Sequence, residues 1–293
     1  MHFKPAFIAK YSKLTDFAAY QHAVASFPRK SIRVNTLQTT ISHLQHLLTD
    51  KGWYFTPVPW CPEGFYVSHT HGRRDIGTLP EHQKGLFFAQ KSVSFIPSIA
   101  LNPKAHDVVL DLCAAPGGKT THLAMLMQNK GIIIANEHDS YRINGLIANL
   151  RRCGILNTVV TQHRADWFPQ ENRFDKILLD APCSGTGLIK GPGATTLTTL
   201  KTWNQKYIEG MARIQKKMIL HAFDLLKQGG TLVYSTCSLE PEENEEIVDH
   251  LLAHRDATLL PIDLPVKVNN KKYFRIWPQD NDTEGFFVAK IMR

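Results

Sequence analysis

The chain of 293 residues is long enough for one large domain, or for a core domain with a small appendage, and its 43% of hydrophobic residues can build a real core. Charged residues make up only 20%, which excludes wholesale disorder, and apolar runs such as Ile132-Ile133-Ile134 are far too short to span a bilayer. The net charge of +8 suits a phosphate backbone or an anionic surface, yet the basic residues come as scattered pairs (Arg29-Lys30, Arg73-Arg74, Arg151-Arg152, Lys216-Lys217, Lys271-Lys272), so any nucleic-acid surface must be assembled by folding.

Residues 1–5 begin no apolar run and no small-residue cleavage pattern, so no signal peptide is read there. Residues 1–28 read as helical, with Phe7, Ile8, Tyr11, Leu14 and Phe17 spaced for one face. A strand-like run from Ser31 to Leu37 precedes a helix-like stretch from Ile41 to Thr49, which ends near Gly52. Two β-rich runs follow, Trp53-Tyr54-Phe55 and Gly64-Phe65-Tyr66-Val67, separated by proline-containing turns. The order β-α-β-β predicts a small α+β module of the split βαβ (RRM-like) kind. With the leading helix it occupies residues 1–80, serving either RNA contact or packing.

The remainder, 81–293, is read as the catalytic domain. From about residue 90, strands and helices alternate strictly. Strands are expected at 108–112, 132–136, 158–163, 176–179 and 231–235, with helical stretches at 120–128, 142–153 and 207–227. Alternation of this kind predicts an α/β fold with a doubly wound, Rossmann-like, mostly parallel sheet. Near the end, Phe274 to Trp277 and Gly285 to Ile291 are further β-rich runs, the second expected as an antiparallel edge strand.

The first of these strands runs into Asp111-Leu112-Cys113-Ala114-Ala115-Pro116-Gly117-Gly118-Lys119-Thr120. Ligands of open α/β sheets bind beyond the carboxyl ends of the strands, where small residues let the backbone come close. The loop matches neither Gly-x-Gly-x-x-Gly nor Gly-x-x-x-x-Gly-Lys-[Ser/Thr], which argues against an NAD enzyme or an ATPase. The second strand ends in Asn136-Glu137, and a carboxylate there can accept from both ribose hydroxyls or can simply be a loop carboxylate. Asp166, past the third strand, is placed to accept from an adenine amino group.

Five cysteines, an odd number, stand at 61, 113, 153, 183 and 237 without a Cys-x-x-Cys pair, and the histidines show no metal-ligand spacing. Reduced thiols in a cytoplasmic protein fit this usage. The fourth strand leads into Asp180-Ala181-Pro182-Cys183-Ser184-Gly185-Thr186-Gly187, the fifth into Thr236-Cys237-Ser238. A single cysteine at such a place is usually a buried hydrophobe. Two at the same rim as the ligand loop point to chemistry. A thiolate that adds to carbon 6 of cytosine turns carbon 5 into an enamine nucleophile, and sulfur both attacks and leaves readily. Pro241 opens a helix whose dipole would favour a nearby thiolate, while Glu242, Glu243, Glu245 and Glu246 would oppose it.

Taken together, residues 111–120, Ala135-Asn136-Glu137, residues 180–187, residues 234–238 with Glu242-Glu243-Asn244-Glu245, and Gly285-Phe286-Phe287-Val288-Ala289-Lys290 resemble the NOP2/Sun (NSUN) family of RNA cytosine-C5 methyltransferases. The run Arg33-Val34-Asn35-Thr36-Leu37 looks like the family's entry motif, and the resemblance spans about Arg29 to Lys290. It implies S-adenosyl-L-methionine as cofactor, contacted by Cys113, Ala114, Ala115, Pro116, Gly117, Gly118, Lys119, Glu137, Arg142, Asp166 and Asp180. It implies Cys237 as nucleophile, Cys183 as the thiol that assists release, Asp180 and Lys119 beside the target cytosine, a base turned out of its stack, and no metal. The finer likeness, in Ser31 to Leu37, Trp53 to Gly64 and Leu200 to Trp203, is to bacterial small-subunit rRNA methyltransferases acting as monomers, with tRNA as the other RNA to consider. Two departures bear on RNA grip: such proteins usually carry a further C-terminal RNA-binding region, and their basic run after Gly187 is replaced here by Ile189-Lys190-Gly191-Pro192-Gly193-Ala194. The Thr236-Cys237 pair argues against a DNA cytosine methyltransferase, whose nucleophile follows a proline as Cys183 does. The intact loop and both cysteines argue against an inactive RNA-binding assembly factor. The absence of Asn/Asp-Pro-Pro-Tyr argues against nucleobase N-methylation.

Overall fold

The structure is a computed structural model that describes residues 1–169 and 174–293. It holds two sheets. The small one is built from β1 (Lys30–Val34), β2 (Trp53–Val58), β3 (Cys61–His69) and β4 (Phe87–Ala89), in the spatial order β2-β3-β1-β4 with antiparallel neighbours. Read from the other edge this is 4-1-3-2, the order of a split βαβ unit. The helix Ile41–Thr49 begins where the Thr40 side chain accepts from the His43 backbone N–H at 3.2 Å, and its Leu44 and Leu48 pack on Ile32, Val34, Trp53 and Phe87. β4 carries this sheet seven residues beyond the expected boundary at residue 80, because Ile32 to Val34 pair with it.

The opening stretch, expected as one helix over 1–28, is two: Pro5–Leu14 and Phe17–Ala25. Asp16 starts the second by accepting from the Ala19 N–H at 3.0 Å. Their aromatic face covers the large domain rather than the small sheet. Phe3, Phe7, Tyr11, Tyr20 and Val24 bury themselves with Ile189, Leu200, Trp203, Ile208, Leu239 and Trp277, and Phe7 stacks on Tyr11 with ring centres 3.9 Å apart.

The large sheet contains β5 (Val108–Asp111), β6 (Ile132–Asn136), β7 (Thr158–Thr161), β8 (Phe174–Asp180), β9 (Leu226–Thr236), β10 (Thr258–Leu260), β11 (Phe274–Ile276) and β12 (Phe286–Met292). Its order is β10-β12-β9-β8-β5-β6-β7, with β5 to β9 parallel and β12 antiparallel to β9. β12 is antiparallel as expected but is not an edge: β9 pairs on one side, β10 and β11 on the other. Phe286, Phe287, Val288, Ala289 and Ile291 are apolar in succession and all buried, so this strand has to be covered on both faces and both sides. Helix Gln205–Asp224 buries Ala212, Met218, Ile219 and Phe223 on one face of the sheet, while Ile96–Leu101 and Gly118–Leu126 cover the other. No helix among the described residues is long and apolar enough to cross a membrane.

Candidate active site

The carboxyl ends of β5, β6, β8 and β9 form one rim, and the residues singled out from the sequence gather there. After β5 the chain turns through 112–117 into helix Gly118–Leu126. Gly117 has φ +100°, and a side chain there would also press on Leu146 at 3.1 Å, so glycine is required on both counts. Asp111 is buried at the base of the loop, where the Thr120 hydroxyl donates to it at 2.7 Å. Burial raises its pKa to about 7, against the pull of that hydrogen bond. Cys113 is likewise pushed well up by burial and by Asp111, which makes it a packing thiol of the loop rather than a thiolate.

Glu137, only 4% exposed, follows β6, and its Oε1 accepts from the Asp139 N–H at 3.1 Å. Its Oε2 lies 3.0 Å from Arg142 Nη1 but takes no hydrogen bond of good geometry among the described residues. Arg142 also donates to the Ala115 carbonyl at 2.7 Å, and so braces the loop against the carboxylate. A buried acceptor with a free lone pair, beside a close-approach backbone, fits a ribose. Asp166 is already engaged: Arg164 donates to both its oxygens, at 3.0 and 2.7 Å, and this pairing holds its carboxyl below the usual range.

The two cysteines meet. Cys183 Sγ and Cys237 Sγ are 3.0 Å apart, one after β8 and the other after β9. The loops approach this closely because Gly187 lacks a side chain: a Cβ there would lie 2.2 Å from the Gly285 carbonyl oxygen and 2.8 Å from that of Cys237. The Gly187 N–H donates to the Cys237 carbonyl at 2.9 Å, and the Gly285 N–H donates to the Gly187 carbonyl at 2.8 Å. The two thiols differ. Their mutual contact comes first, lowering the pKa at Cys237 and raising it at Cys183; burial and Asp180 oppose the thiolate at Cys237 while Lys91 and Lys119 favour it, and burial and Glu243 oppose it at Cys183. Lys119 Nζ also lies 2.7 Å from Asp180 Oδ2, and the Ser235 hydroxyl donates to Asp180 Oδ1 at 2.7 Å.

Several residues at this rim were not found by motif. Lys91 comes from the segment that follows the small sheet. Glu240, fully buried three residues after Cys237, accepts from Tyr11 Oη and Trp203 Nε1 at 2.9 Å each and lies 2.6 Å from Lys10 Nζ. Their signal was only the apolar company they keep. The acidic run after Pro241 largely neutralises itself: Glu242 pairs with Lys10, and Glu245 with Arg275. The run opens with a 3-10 turn, Pro241–Glu243, and the α-helix begins at Glu245.

Two basic residues face inward. Arg33 is 2% exposed and donates to the Gly118 carbonyl at 2.9 Å and Thr121 Oγ1 at 2.8 Å, docking the small sheet on the loop helix. Burial lowers its pKa to about 10. Lys190 is 4% exposed and pairs with Asp282 at 3.0 Å. Folding also assembles a trio invisible to spacing along the chain: Cys61, Glu63 and His122, with ligand-type atoms within 4.8 Å of one another. Burial raises the Cys61 thiol to about 12, and the positive field of Arg33 reaches both Cys61 and His122, which disfavours a cation there.

Residues 98–292 match the family described as 16S rRNA methyltransferase RsmB/F, and residues 3–92 match the N-terminal domain of 16S rRNA methyltransferase RsmF. The chain is 41% identical over 302 residues to a tRNA (cytosine(49)-C(5))-methyltransferase of Pyrococcus abyssi, covering 98% of this chain and 95% of that one. It is also 41% identical over 305 residues to ribosomal RNA small subunit methyltransferase F of Vibrio cholerae, covering 98% of this chain but 63% of that protein, so it spans under two thirds of that relative. Among solved structures, a methyltransferase homolog from Pyrococcus horikoshii superposes with a TM-score of 0.83 at 34% identity, over 98% of this chain and 99% of that one. NSun6 from Pyrococcus horikoshii with SFG superposes with a TM-score of 0.89 at 26% identity, over 99% and 98%. The chain thus belongs to the RsmB/F (NOP2/Sun) family of RNA methyltransferases.

Proposed function

We propose that this protein transfers a methyl group from S-adenosyl-L-methionine to carbon 5 of a cytidine in RNA, with Cys237 as the covalent nucleophile. The observation that carries the reading is the pair of thiols 3.0 Å apart at the ends of neighbouring strands β8 and β9, a contact that lowers the pKa at Cys237 and raises it at Cys183. The residues that would hold the cofactor are the backbone of 113–119, Glu137 through its unfilled lone pair, Asp166 and Asp180, with Arg142 bracing loop and carboxylate together. When bound, the cofactor supplies an electrophilic methyl group on a sulfonium sulfur. A relative solved with SFG, an analogue of that cofactor, supports the choice.

On this reading the Cys237 thiolate forms a bond to carbon 6 of a flipped-out cytosine, and the ring electron pair moves toward carbon 5. Lys119 and Asp180, joined at 2.7 Å, would offer a donor and an acceptor to the polar edge of the ring. After methylation carbon 5 gives up its proton to the Cys183 sulfur, which has by then released its own proton to solvent, and the electrons of that carbon–hydrogen bond restore the ring double bond and expel the Cys237 sulfur as a thiolate. A DNA-type mechanism with Cys183 attacking is disfavoured by the carboxylate of Glu243, which opposes charge on that sulfur.

The preferred substrate is small-subunit rRNA, in keeping with the RsmF-type N-terminal region. tRNA is the second reading, because similarity to the Pyrococcus abyssi enzyme runs over 95% of that protein. With Arg33 and Lys190 buried, RNA grip falls to exposed groups of the N-terminal region (about residues 1–80) such as Lys30, Arg73 and Arg74, the last lying over Phe27 with its guanidinium carbon 5.3 Å from the ring centre. The test offers methyl-labelled cofactor and purified protein separately to small ribosomal subunits, total tRNA and duplex DNA, then locates the label among the nucleosides. Label in 5-methylcytidine from one RNA is expected. Label in DNA alone, or in another nucleoside, would overturn the assignment.

A further inference from the structure

Five glutamates follow Cys237 closely: Glu240 and Glu242 are held by Lys10, Glu245 by Arg275, and Glu246 is exposed. Glu243 is different. It is fully buried, and among the described residues no lysine, arginine or histidine pairs with it. Instead its carboxylate collects neutral donors: the Ser184 N–H at 2.8 Å, the Ser184 hydroxyl, the Ser238 hydroxyl at 2.5 Å and Gln215 Nε2 at 3.2 Å. Ser184 directly follows Cys183, and Ser238 directly follows Cys237. The same Gln215 amide donates to the Pro182 carbonyl at 2.8 Å, and Tyr234 Oη donates to the Glu243 carbonyl at 2.6 Å. A carboxylate buried without a counter-ion is costly. Here every strong contact it makes runs to one of the two loops that carry the thiols, or to the helix beneath them.

We propose that Glu243 is a positioning residue that ties the Cys183 loop to the Cys237 loop and sets the separation of the two sulfurs. The inference rests on the reading of Cys237 as nucleophile and Cys183 as the group that assists its release. Ser184 and Ser238 also lie in contact, Oγ to Oγ at 3.2 Å, and because both hydroxyl protons go to the carboxylate, it is Glu243 that closes this ring of contacts across the loops. An amide in its place has only one good acceptor, and its NH₂ faces donors. The serines would then part, and the sulfurs with them, because each serine is the next residue along the chain from its cysteine. Release, which needs both thiols at once, suffers more than cofactor binding, none of whose residues beyond Asp180 belongs to the two cysteine loops.

The experiment compares the full-length wild-type chain with Glu243→Gln and with the milder Ser184→Ala, which removes one hydroxyl from the ring. Three quantities are read: S-adenosylmethionine affinity by calorimetry, methyl transfer to the RNA that wild type methylates, and protein–RNA adduct surviving on a denaturing gel. For Glu243→Gln the expected result is cofactor affinity within about 3-fold of wild type and methyl-transfer turnover down about 10²-fold, the scale of an ångström-sized misplacement. Adduct should persist that wild type does not accumulate. Ser184→Ala should shift the same readouts in the same direction by about 10-fold or less. Wild-type turnover in both variants without adduct would overturn the proposal. So would a parallel fall in cofactor affinity and turnover without adduct, which marks a merely structural residue. If Glu243→Gln does not fold, Ser184→Ala decides alone by the same criteria. Absence of methylation by wild type itself would sink the functional reading first, and this inference with it.

Discussion

Two buried glutamates three residues apart divide the labour around Cys237. Glu240 faces the N-terminal helices and is met by Lys10, Tyr11 and Trp203. Glu243 faces the other cysteine loop and is met by serines and an amide. The first contact docks one part of the chain on another, and the charge it buries is compensated by a cation. The second holds two loops of the rim in register, and its charge is left to hydrogen bonds. Arg33 belongs with Glu240: it is buried to join the small sheet to the loop helix, not to meet a ligand. Residues that dock should therefore govern stability, and residues at the thiols should govern turnover.

The sharpest way to break this division is at the sulfur itself. Cys237→Ala is expected to lower methyl transfer by about 10³-fold or more, as loss of a nucleophile does. Its urea unfolding free energy should move by about 1 kcal/mol or less. Cys183→Ala should instead accumulate a covalent protein–RNA adduct on a denaturing gel. Adduct in Cys237→Ala and none in Cys183→Ala would reverse the two roles. Next in size is Arg33→Met, which removes the guanidinium from the Gly118 carbonyl and from the Thr121 hydroxyl. A loss of about 3 kcal/mol in urea unfolding is expected, with weaker cofactor binding because the loop helix is undocked. An unchanged midpoint would show that the small sheet does not depend on it.

Glu240→Gln keeps the shape and one acceptor but leaves Lys10 without its closest carboxylate, so a smaller loss of about 2 kcal/mol is expected. Turnover of the protein that remains folded should be close to wild type. A large fall in turnover at unchanged stability would merge the two glutamates into one catalytic unit. The smallest effect lies in the pH dependence of the cofactor-free protein. Asp111 has a folded-state pKa of about 7 against an ordinary value of 3.8. The folded state thus binds a proton that the unfolded state has released, so this group's contribution is fully present below pH 4 and is lost as pH rises through 7. Asp111→Asn should remove that part of the slope, as measured by urea unfolding at several pH values, while a slope unchanged by the substitution would refute the assignment.

Much of the rim was legible because its chemistry restricts residue type. A thiol after each of two neighbouring strands, a small-residue loop after the first strand and an acid after the second could each be read in one dimension, since parallel strands bring their carboxyl ends to one side whatever the details. The helix Ile41–Thr49 and strand Ile132–Asn136 were also legible, the one from apolar spacing and the other from a short apolar run. β12 was misplaced as an edge because strand order depends on which apolar surfaces remain uncovered after the rest has packed, which no local pattern records. The burial of Arg33 and Lys190 was illegible for the same reason: a basic residue has the same letter whether it faces solvent or a buried carbonyl.

The sequence by itself determined the fold class and the places of the small-residue loop and the two thiols just after their strands, because those follow from local periodicity and from parallel strands that end on one side. Only the tertiary structure decided that the sulfurs stand 3.0 Å apart, that Glu243 bridges the serines that follow them, and that the N-terminal helices brace the loop beyond Cys237. Those are relations between residues distant in sequence. Their energies depend on distance and burial, and both come into existence only when the chain has closed upon itself.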